Sequence, residues 1–169
     1  MRIHVCPLSR LAETAAAIQP RHLVTLMNVA TPVARPADIE ASNHLVLGLS
    51  DIAEPLEGHV LPAEDHVAQL VDFARRWDRA APLLIHCWAG VSRSTAAAYI
   101  CACVLDPSRD EGDAALALRR ASPMATPNPR LIAVADAMLG REGRMIAAIG
   151  AIGRGADCYE GTPFAFPER

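Results

Sequence analysis

The pattern of apolar and polar positions predicts strands in the first half of the chain and helices mostly in the second. Apolar runs rich in β-branched residues predict strands at 3–8, 22–29 and 43–49. A shorter apolar run at 83–85 follows Pro82 and leads into a loop of small residues. Because this run contains no polar position, we expect it to be a fully buried strand.

Helices are predicted where apolar residues recur every three to four positions. Ser9 is expected to cap a short helix that reaches about residue 18, and Pro62 to open an amphipathic helix that reaches about residue 79. Asn128, followed by a proline, is expected to cap a later helix. The remaining helices are predicted at 95–105, 110–121, 128–139 and 144–152.

This order of elements predicts an α/β fold, with a central, mostly parallel sheet of about four to five strands and helices on both faces. The 169 residues are expected to form a single domain, residues 1–169, which is long enough to bury a real core. Residues 153–169 are rich in Gly and Pro, and we expect them to form an irregular tail on the surface.

Composition and charge exclude several classes of function. Apolar residues make up 51 % of the chain, which excludes a disordered protein. A net charge of −3 gives no reason to expect binding to nucleic acid or to an anionic membrane. The N-terminus lacks the apolar core of a signal peptide, and no apolar run of about 18 residues predicts a membrane span.

The cysteine and histidine positions predict no metal site, cofactor site or disulfide framework. The number of cysteines is odd, and their spacing fits no known pairing pattern, which favours a reducing, cytoplasmic setting. The five cysteines are Cys6, Cys87, Cys101, Cys103 and Cys158.

The loop at 86–94, with the sequence His-Cys-Trp-Ala-Gly-Val-Ser-Arg-Ser, joins the buried strand to a predicted helix. The unpaired N–H groups of such a loop and the dipole of the helix favour a bound anion. In this loop Cys87 is expected to be a thiolate, and Gly90 to allow a tight bend of the backbone. Arg93 offers two parallel donors to a phosphate. Together these residues predict a site where a tetrahedral oxyanion lies against a sulfur nucleophile.

The spacing His86-Cys87-x5-Arg93-Ser94 resembles the signature of the cysteine-dependent protein tyrosine phosphatase superfamily. The wider segment LIHCWAGVSRSTAAAYI looks most like the small dual-specificity-type members and their bacterial relatives. Five specified positions match by chance at roughly one site in several million, so an accidental match is not expected. The resemblance implies a phosphate-binding loop made of Trp88, Ala89, Gly90, Val91, Ser92 and Arg93.

The resemblance also implies a general acid for the reaction. Such an acid must protonate the leaving oxygen and then activate water. Asp51 follows an apolar strand and precedes a helix, which is where the small members carry this residue. The Trp-Pro-Asp form of the acid loop is absent, and Glu54 and Asp65 are the alternatives to Asp51.

Several neighbouring residues have two open interpretations. His86 is expected to hold the loop through hydrogen bonds to nearby backbone, and Ser94 either donates to the thiolate or caps the following helix. Trp88 either walls the pocket or packs outward, and Cys6 is a minor candidate for a disulfide with Cys87 on oxidation. Asn128 is interpreted as structural, because Val134 stands where the small phosphatases often carry Gln.

The leading interpretation is a phosphomonoester hydrolase, first of all a protein tyrosine or dual-specificity phosphatase that works through a phosphocysteine. The residues between Cys87 and Arg93 carry no positive charge, which argues against polyanionic substrates. The expected partner is therefore a phosphorylated protein or a small phosphate ester. Two other classes stay open: a phosphate-binding module without catalysis, and a sulfurtransferase-like or arsenate-reducing enzyme.

Overall fold

The predicted apolar runs form the strands of one sheet in the computed structural model, which describes residues 2–167. The strands are β1 (Arg2–Pro7), β2 (His22–Met27), β3 (His44–Gly48), β4 (Leu83–Cys87) and β5 (Phe164–Pro167). Their order across the sheet is β3-β2-β4-β1-β5. β1 to β4 run parallel, and β5 is antiparallel to β1 at one edge. The predicted α/β class and the mostly parallel sheet are confirmed.

Six α-helices and two short 3-10 turns complete the described part of the chain. The helices are α1 (Leu11–Ile18), α2 (Glu64–Arg76), α3 (Arg93–Leu105), α4 (Glu111–Ala121), α5 (Pro129–Met138) and α6 (Arg144–Ile152). The 3-10 turns are Leu8–Arg10 and Ala41–Asn43. Among residues 2–167, no helix combines the length and the apolar character needed to cross a bilayer.

Helices cover both faces of the sheet, which also confirms the prediction. α1 packs on one face, where Leu11 and Ala15 join a cluster with Leu23 and Leu84. The other five helices contribute to a larger core on the opposite face. α3 is the most deeply placed, because its residues from Arg93 to Cys103 are all buried. The loop at 88–92 therefore connects a buried central strand to a buried helix.

Two helices begin later than predicted. Ser9 does not cap α1, because the chain first makes the 3-10 turn, in which Leu8 N–H donates to Trp88 O at 3.0 Å. The Ser9 hydroxyl donates instead to Glu160 Oε2 at 2.8 Å. Pro62 lies before α2 rather than inside it, and the first turn is closed by a hydrogen bond from Ala63 N–H to His66 Nδ1.

The prediction of an irregular tail at 153–169 is wrong for its last described part. Residues 164–167 form β5, and Val5 of β1 pairs with Phe164. Phe166 is fully buried in the larger core. Without β5 the edge strand β1 would present unpaired backbone groups, which a short strand can satisfy. Residues 168–169 of the predicted tail lie outside the described residues.

Candidate active site

The predicted site residues meet at the carboxyl edge of the sheet. Cys87 is the last residue of β4, Asn28 directly follows β2, and Asp51 follows β3 after two residues. Because these three strands are parallel and adjacent, their ends open at the same edge. This edge is where ligands bind in open α/β sheets.

Four of the five carbonyl oxygens from Trp88 to Ser92 accept hydrogen bonds from backbone N–H groups outside the loop. Within residues 2–167, no backbone N–H from Trp88 to Arg93 donates to a protein acceptor. These N–H groups and the start of α3 therefore form a cradle of free donors for an anion. Trp88 O accepts from Leu8 N, Ala89 O from Gly161 N, Val91 O from Thr126 N, and Ser92 O from Asn128 N and Ala96 N.

Gly90 makes this loop conformation possible. Its φ of +69° lies in the left-handed region that favours glycine. A Cβ at this position would stand 2.7 Å from the Pro7 nitrogen, which leaves no room for any side chain. The loop therefore packs directly on the end of β1, as expected for a glycine at this offset.

Cys87 directly precedes the cradle in the chain, as the last residue of β4. It is only 2 % exposed, and its Sγ is 3.0 Å from Ser94 Oγ. Ser94 is fully buried in the first turn of α3, and its hydroxyl is not the cap of that helix. Of the two interpretations of Ser94, the geometry supports a hydrogen bond to the sulfur.

In the Arg93 guanidinium, Nη1 is held by two hydrogen bonds, whereas Nε has no hydrogen-bond partner among the described residues. Its Nη1 donates to Asn28 Oδ1 and to Leu49 O, both at 2.9 Å. Its Nε is buried and makes no hydrogen bond to any described residue. A buried donor without a partner is costly, and a bound oxyanion would satisfy it. The structure thus holds a preoriented cation beside the cradle.

Asp51, in the loop after β3, contacts Ser92 of the phosphate-binding loop and lies near Arg93. Its Oδ1 accepts hydrogen bonds from Ser92 Oγ at 2.7 Å and from Asn128 Nδ2 at 2.8 Å. Its Oδ2 stands 3.9 Å from Arg93 Nε. Of the alternatives to Asp51, Glu54 is exposed on the same loop and Asp65 lies in the first turn of α2. No contact ties either of these two residues to the cradle.

His86 precedes the loop in β4, and its well-formed hydrogen bond goes to a side chain, not to the nearby backbone as expected. Its Nε2 is 2.7 Å from Thr25 Oγ1, which is in turn 2.8 Å from His44 Nε2. Burial lowers the pKa of His86 to about 4, and the Cys87 backbone offsets this only in part. Nδ1 is buried and has no well-formed hydrogen bond. His86 is therefore neutral at physiological pH, and the chain of three side chains crosses β4, β2 and β3.

Two further questions left open by the sequence are answered by burial. Trp88 is 57 % exposed, so its indole packs outward at the mouth of the site. Cys6 belongs to the cluster on the α1 side of the sheet, whereas Cys87 belongs to the opposite core. Burial also raises the pKa of Cys6 to about 12, so this thiol is neither placed nor ionised for exchange with Cys87.

Three residues support the site in ways that the sequence did not predict. Asn128 was interpreted as structural, and it does cap α5, but it also donates to Asp51. Asn28 and Thr25 were not considered, although a polar residue directly after a buried strand, such as Asn28, is a signal that could have been used. In the part of the chain that the structure describes, no group of three or more His, Cys, Asp or Glu side chains could hold a metal ion.

Comparison with known proteins shows where this fold occurs. No protein-family model matches the chain, and no curated protein matches its sequence. Among solved structures, DUSP15 is similar, with a TM-score of 0.64 and 16 % identity over 88 % of each chain. The PTP-2 phosphatase of Cydia pomonella has a TM-score of 0.61 and 18 % identity, over 79 % of this chain and 83 % of the other. Human DUSP28 has a TM-score of 0.60 and 17 % identity, over 82 % of this chain and 88 % of the other.

Because the sequence identities are only 16–18 %, these similarities show a shared fold and no more. The chain has the fold of the dual-specificity and tyrosine phosphatases, as the His-Cys-x5-Arg-Ser spacing predicted.

Proposed function

We propose that this protein is a phosphomonoester hydrolase that works through a phosphocysteine on Cys87. One observation carries the proposal: the loop that directly follows Cys87 leaves its backbone N–H groups without protein acceptors, and Nε of Arg93 at the end of that loop is buried without a hydrogen bond. A tetrahedral dianion fits this set of donors, and few other ligands do. The fold shared with known phosphatases supports the same conclusion.

The first step would transfer the phosphoryl group to sulfur. The Cys87 thiolate attacks phosphorus, an S–P bond forms, and the bond from phosphorus to the leaving oxygen breaks. Arg93 and the loop N–H groups hold the three equatorial oxygens, so the charge of the transition state is stabilised. Asp51 gives its proton to the leaving oxygen, which departs as an alcohol or phenol.

The second step would return the enzyme to its starting state. Asp51, now a carboxylate, takes a proton from water as the water oxygen attacks phosphorus. The S–P bond breaks, inorganic phosphate leaves, and the sulfur is again a thiolate. Ser94 Oγ, 3.0 Å from Sγ, is placed to stabilise the departing thiolate by a hydrogen bond.

We propose a phosphorylated protein as the substrate, with phosphotyrosine preferred and dual specificity as the alternative. Arg93 is the only basic residue in the phosphate-binding loop, and the acid loop presents exposed Asp51, Glu54 and Glu57. These carboxylates disfavour a substrate with several phosphate groups. The exposed indole of Trp88 offers an apolar surface beside the mouth, which suits an aromatic phosphoester. A small phosphate ester remains the other substrate class.

The proposed mechanism also indicates the kind of cellular compartment in which the protein would be active. All five cysteines are free, and the proposed reaction needs Cys87 as a thiol. We therefore propose a reducing compartment such as the cytoplasm.

A substrate panel tests this proposal. The wild-type protein, Cys87→Ser and the control Cys101→Ala, which alters a buried cysteine within α3, are assayed on p-nitrophenyl phosphate, phosphotyrosine and phosphoserine peptides, and phosphoinositides. We expect hydrolysis of the monoesters by the wild type and the control, and none by Cys87→Ser. Phosphopeptide binding without turnover by the wild type would instead identify a binding module.

A further inference from the structure

A segment near the C-terminus crosses the outer side of the phosphate-binding loop. We call residues 153–163, between α6 and β5, the strap. At one end Arg119 Nη2 donates to Gly153 O at 2.7 Å, and Ala156 N–H donates to Pro123 O at 3.0 Å. At the other end the strap continues into β5, where Phe166 is fully buried. The strap is therefore held at both ends.

Between these anchors Gly161 contacts the phosphate-binding loop directly. Gly161 N–H donates to Ala89 O at 2.8 Å. Gly161 is buried, and a Cβ there would stand 3.1 Å from Gly90 O and 3.4 Å from Val91 Cγ2. A side chain at this position would make a contact tighter than usual, so the loop backbone would have to move slightly to keep the same hydrogen bond.

This contact determines which way the peptide between Ala89 and Gly90 faces. In a planar trans peptide the C=O and the N–H point in opposite directions. Holding Ala89 O outward therefore holds Gly90 N–H inward, toward the anion position. Gly90 is already at φ +69°, and glycine rotates between backbone conformations more easily than other residues. Without the strap this peptide could turn over, which would replace a donor in the cradle by a carbonyl oxygen.

The strap also reaches the loop through a second residue. Gly155 N–H donates to Thr126 Oγ1 at 3.0 Å, and Thr126 N–H donates to Val91 O at 2.9 Å. The strap therefore hydrogen-bonds to Ala89 O directly and is linked to Val91 O through Thr126.

We propose that Gly161 is a positioning residue for the phosphate-binding loop, and that the strap holds the cradle in its anion-binding form. This inference rests on the proposed function in one respect, that the ligand of the loop is a tetrahedral oxyanion. It adds to that function a dependence on a segment far from Cys87 in the sequence.

Affinity for tungstate, a stable tetrahedral oxyanion, tests the proposal by titration calorimetry. Gly161→Val adds a branched side chain against the loop, and Gly150→Ala is the matched control, since an added Cβ in α6 meets nothing within 4 Å. We expect Gly161→Val to bind tungstate at least about tenfold more weakly than the wild type, and Gly161→Ala to show a smaller loss. Gly150→Ala should bind as the wild type does, and Tm is recorded for each variant.

The outcomes separate this inference from the proposed function. Tungstate binding by a folded Gly161→Val at wild-type strength contradicts the role of the strap alone. A wild-type protein that neither binds tungstate nor hydrolyses p-nitrophenyl phosphate contradicts the proposed function, and the strap then has no ligand to act on.

If Gly161→Val does not fold, amide hydrogen exchange in the wild-type protein tests the proposal instead. Because coupling is reciprocal, tungstate must slow exchange at Gly161 N–H more than at Asp113 N–H, which is hydrogen-bonded to the cap of α4 away from the strap. Equal slowing at both amides would contradict the proposal.

Discussion

Asn128 Nδ2 donates a 2.8 Å hydrogen bond to Asp51 Oδ1, although 77 residues separate the two in the sequence. The same side chain accepts from Leu131 N–H at 3.0 Å as the cap of α5. Asn128 is only 2 % exposed, so the bond from Leu131 is buried, whereas the bond to Asp51 is partly exposed on the Asp51 side. One buried side chain thus joins the start of a helix to the carboxylate proposed as the general acid.

Replacing Asn128 by Ser should impair catalysis without unfolding α5. Serine is also a good helix cap, but it cannot reach Asp51 as the amide does. Because a hydrogen bond to a charged group contributes about 1.5–3 kcal/mol, kcat on phenyl phosphate should fall about tenfold or more. Steady-state kinetics with phenyl phosphate measure this change in kcat.

The control for this variant is Asp110→Ser, which makes the same kind of change at the cap of α4, away from the site. Equal losses in the two variants would mean that Asn128 acts only through helix stability.

Asp51→Asn should slow the reaction in a way that depends on the leaving group. Asparagine keeps an oxygen for the bonds from Ser92 and Asn128 but has no proton to give. General acid catalysis contributes about 10²- to 10⁴-fold, so phenyl phosphate should lose close to that factor and p-nitrophenyl phosphate much less. Brønsted plots of kcat/KM against leaving-group pKa measure the difference. If Glu54→Gln shows this dependence and Asp51→Asn does not, Glu54 is the acid.

Ser94→Ala should slow the second step more than the first. Its hydroxyl is 3.0 Å from Cys87 Sγ and would stabilise the thiolate as it leaves phosphorus. Stopped-flow assays with p-nitrophenyl phosphate should therefore keep a burst of p-nitrophenolate while the steady-state rate falls about 10- to 100-fold. Ser108→Ala, on an exposed turn, serves as the control. Loss of the burst itself would place Ser94 in the first step.

The buried His86 should make folding sensitive to acid. Burial lowers its pKa to about 4 in the folded protein, whereas in the unfolded chain it is about 6.5. Below pH 6.5 the unfolded chain binds the proton and the folded protein does not. The free energy of unfolding should therefore fall as the pH drops from about 6.5 to 4, by about 3 kcal/mol for this residue.

Urea unfolding at several pH values checks this, and His86→Gln should show a weaker pH dependence than the wild type. The control His59→Gln alters a histidine in an exposed loop. If His86→Gln keeps the wild-type pH dependence, His86 is not the group that is protonated on unfolding.

The parts of the site that the sequence predicted are those fixed by short offsets. Cys87, Gly90, Arg93 and Ser94 lie within eight positions, and a strand leading into a helix leaves that segment few conformations. Asp51 was also predicted, but through the resemblance, because no local pattern singles it out.

The missed contacts depend on how distant segments pack. Thr25 meets His86 only because β2 lies beside β4, and Gly161 meets Ala89 only because the strap continues into β5. β5 itself is four residues long and ends in a proline, so no periodic pattern could indicate it. Pairing with the edge of β1 and burial of Phe166 stabilise it instead.

The phosphocysteine is the central claim, and one measurement tests it most directly. The wild-type protein is mixed with p-nitrophenyl phosphate, quenched in acid during turnover and analysed by intact and peptide mass spectrometry. The account predicts an added phosphoryl group on the peptide that contains Cys87, and no such group in Cys87→Ser. Turnover without phosphorylation of Cys87, or wild-type activity in Cys87→Ser, would contradict it.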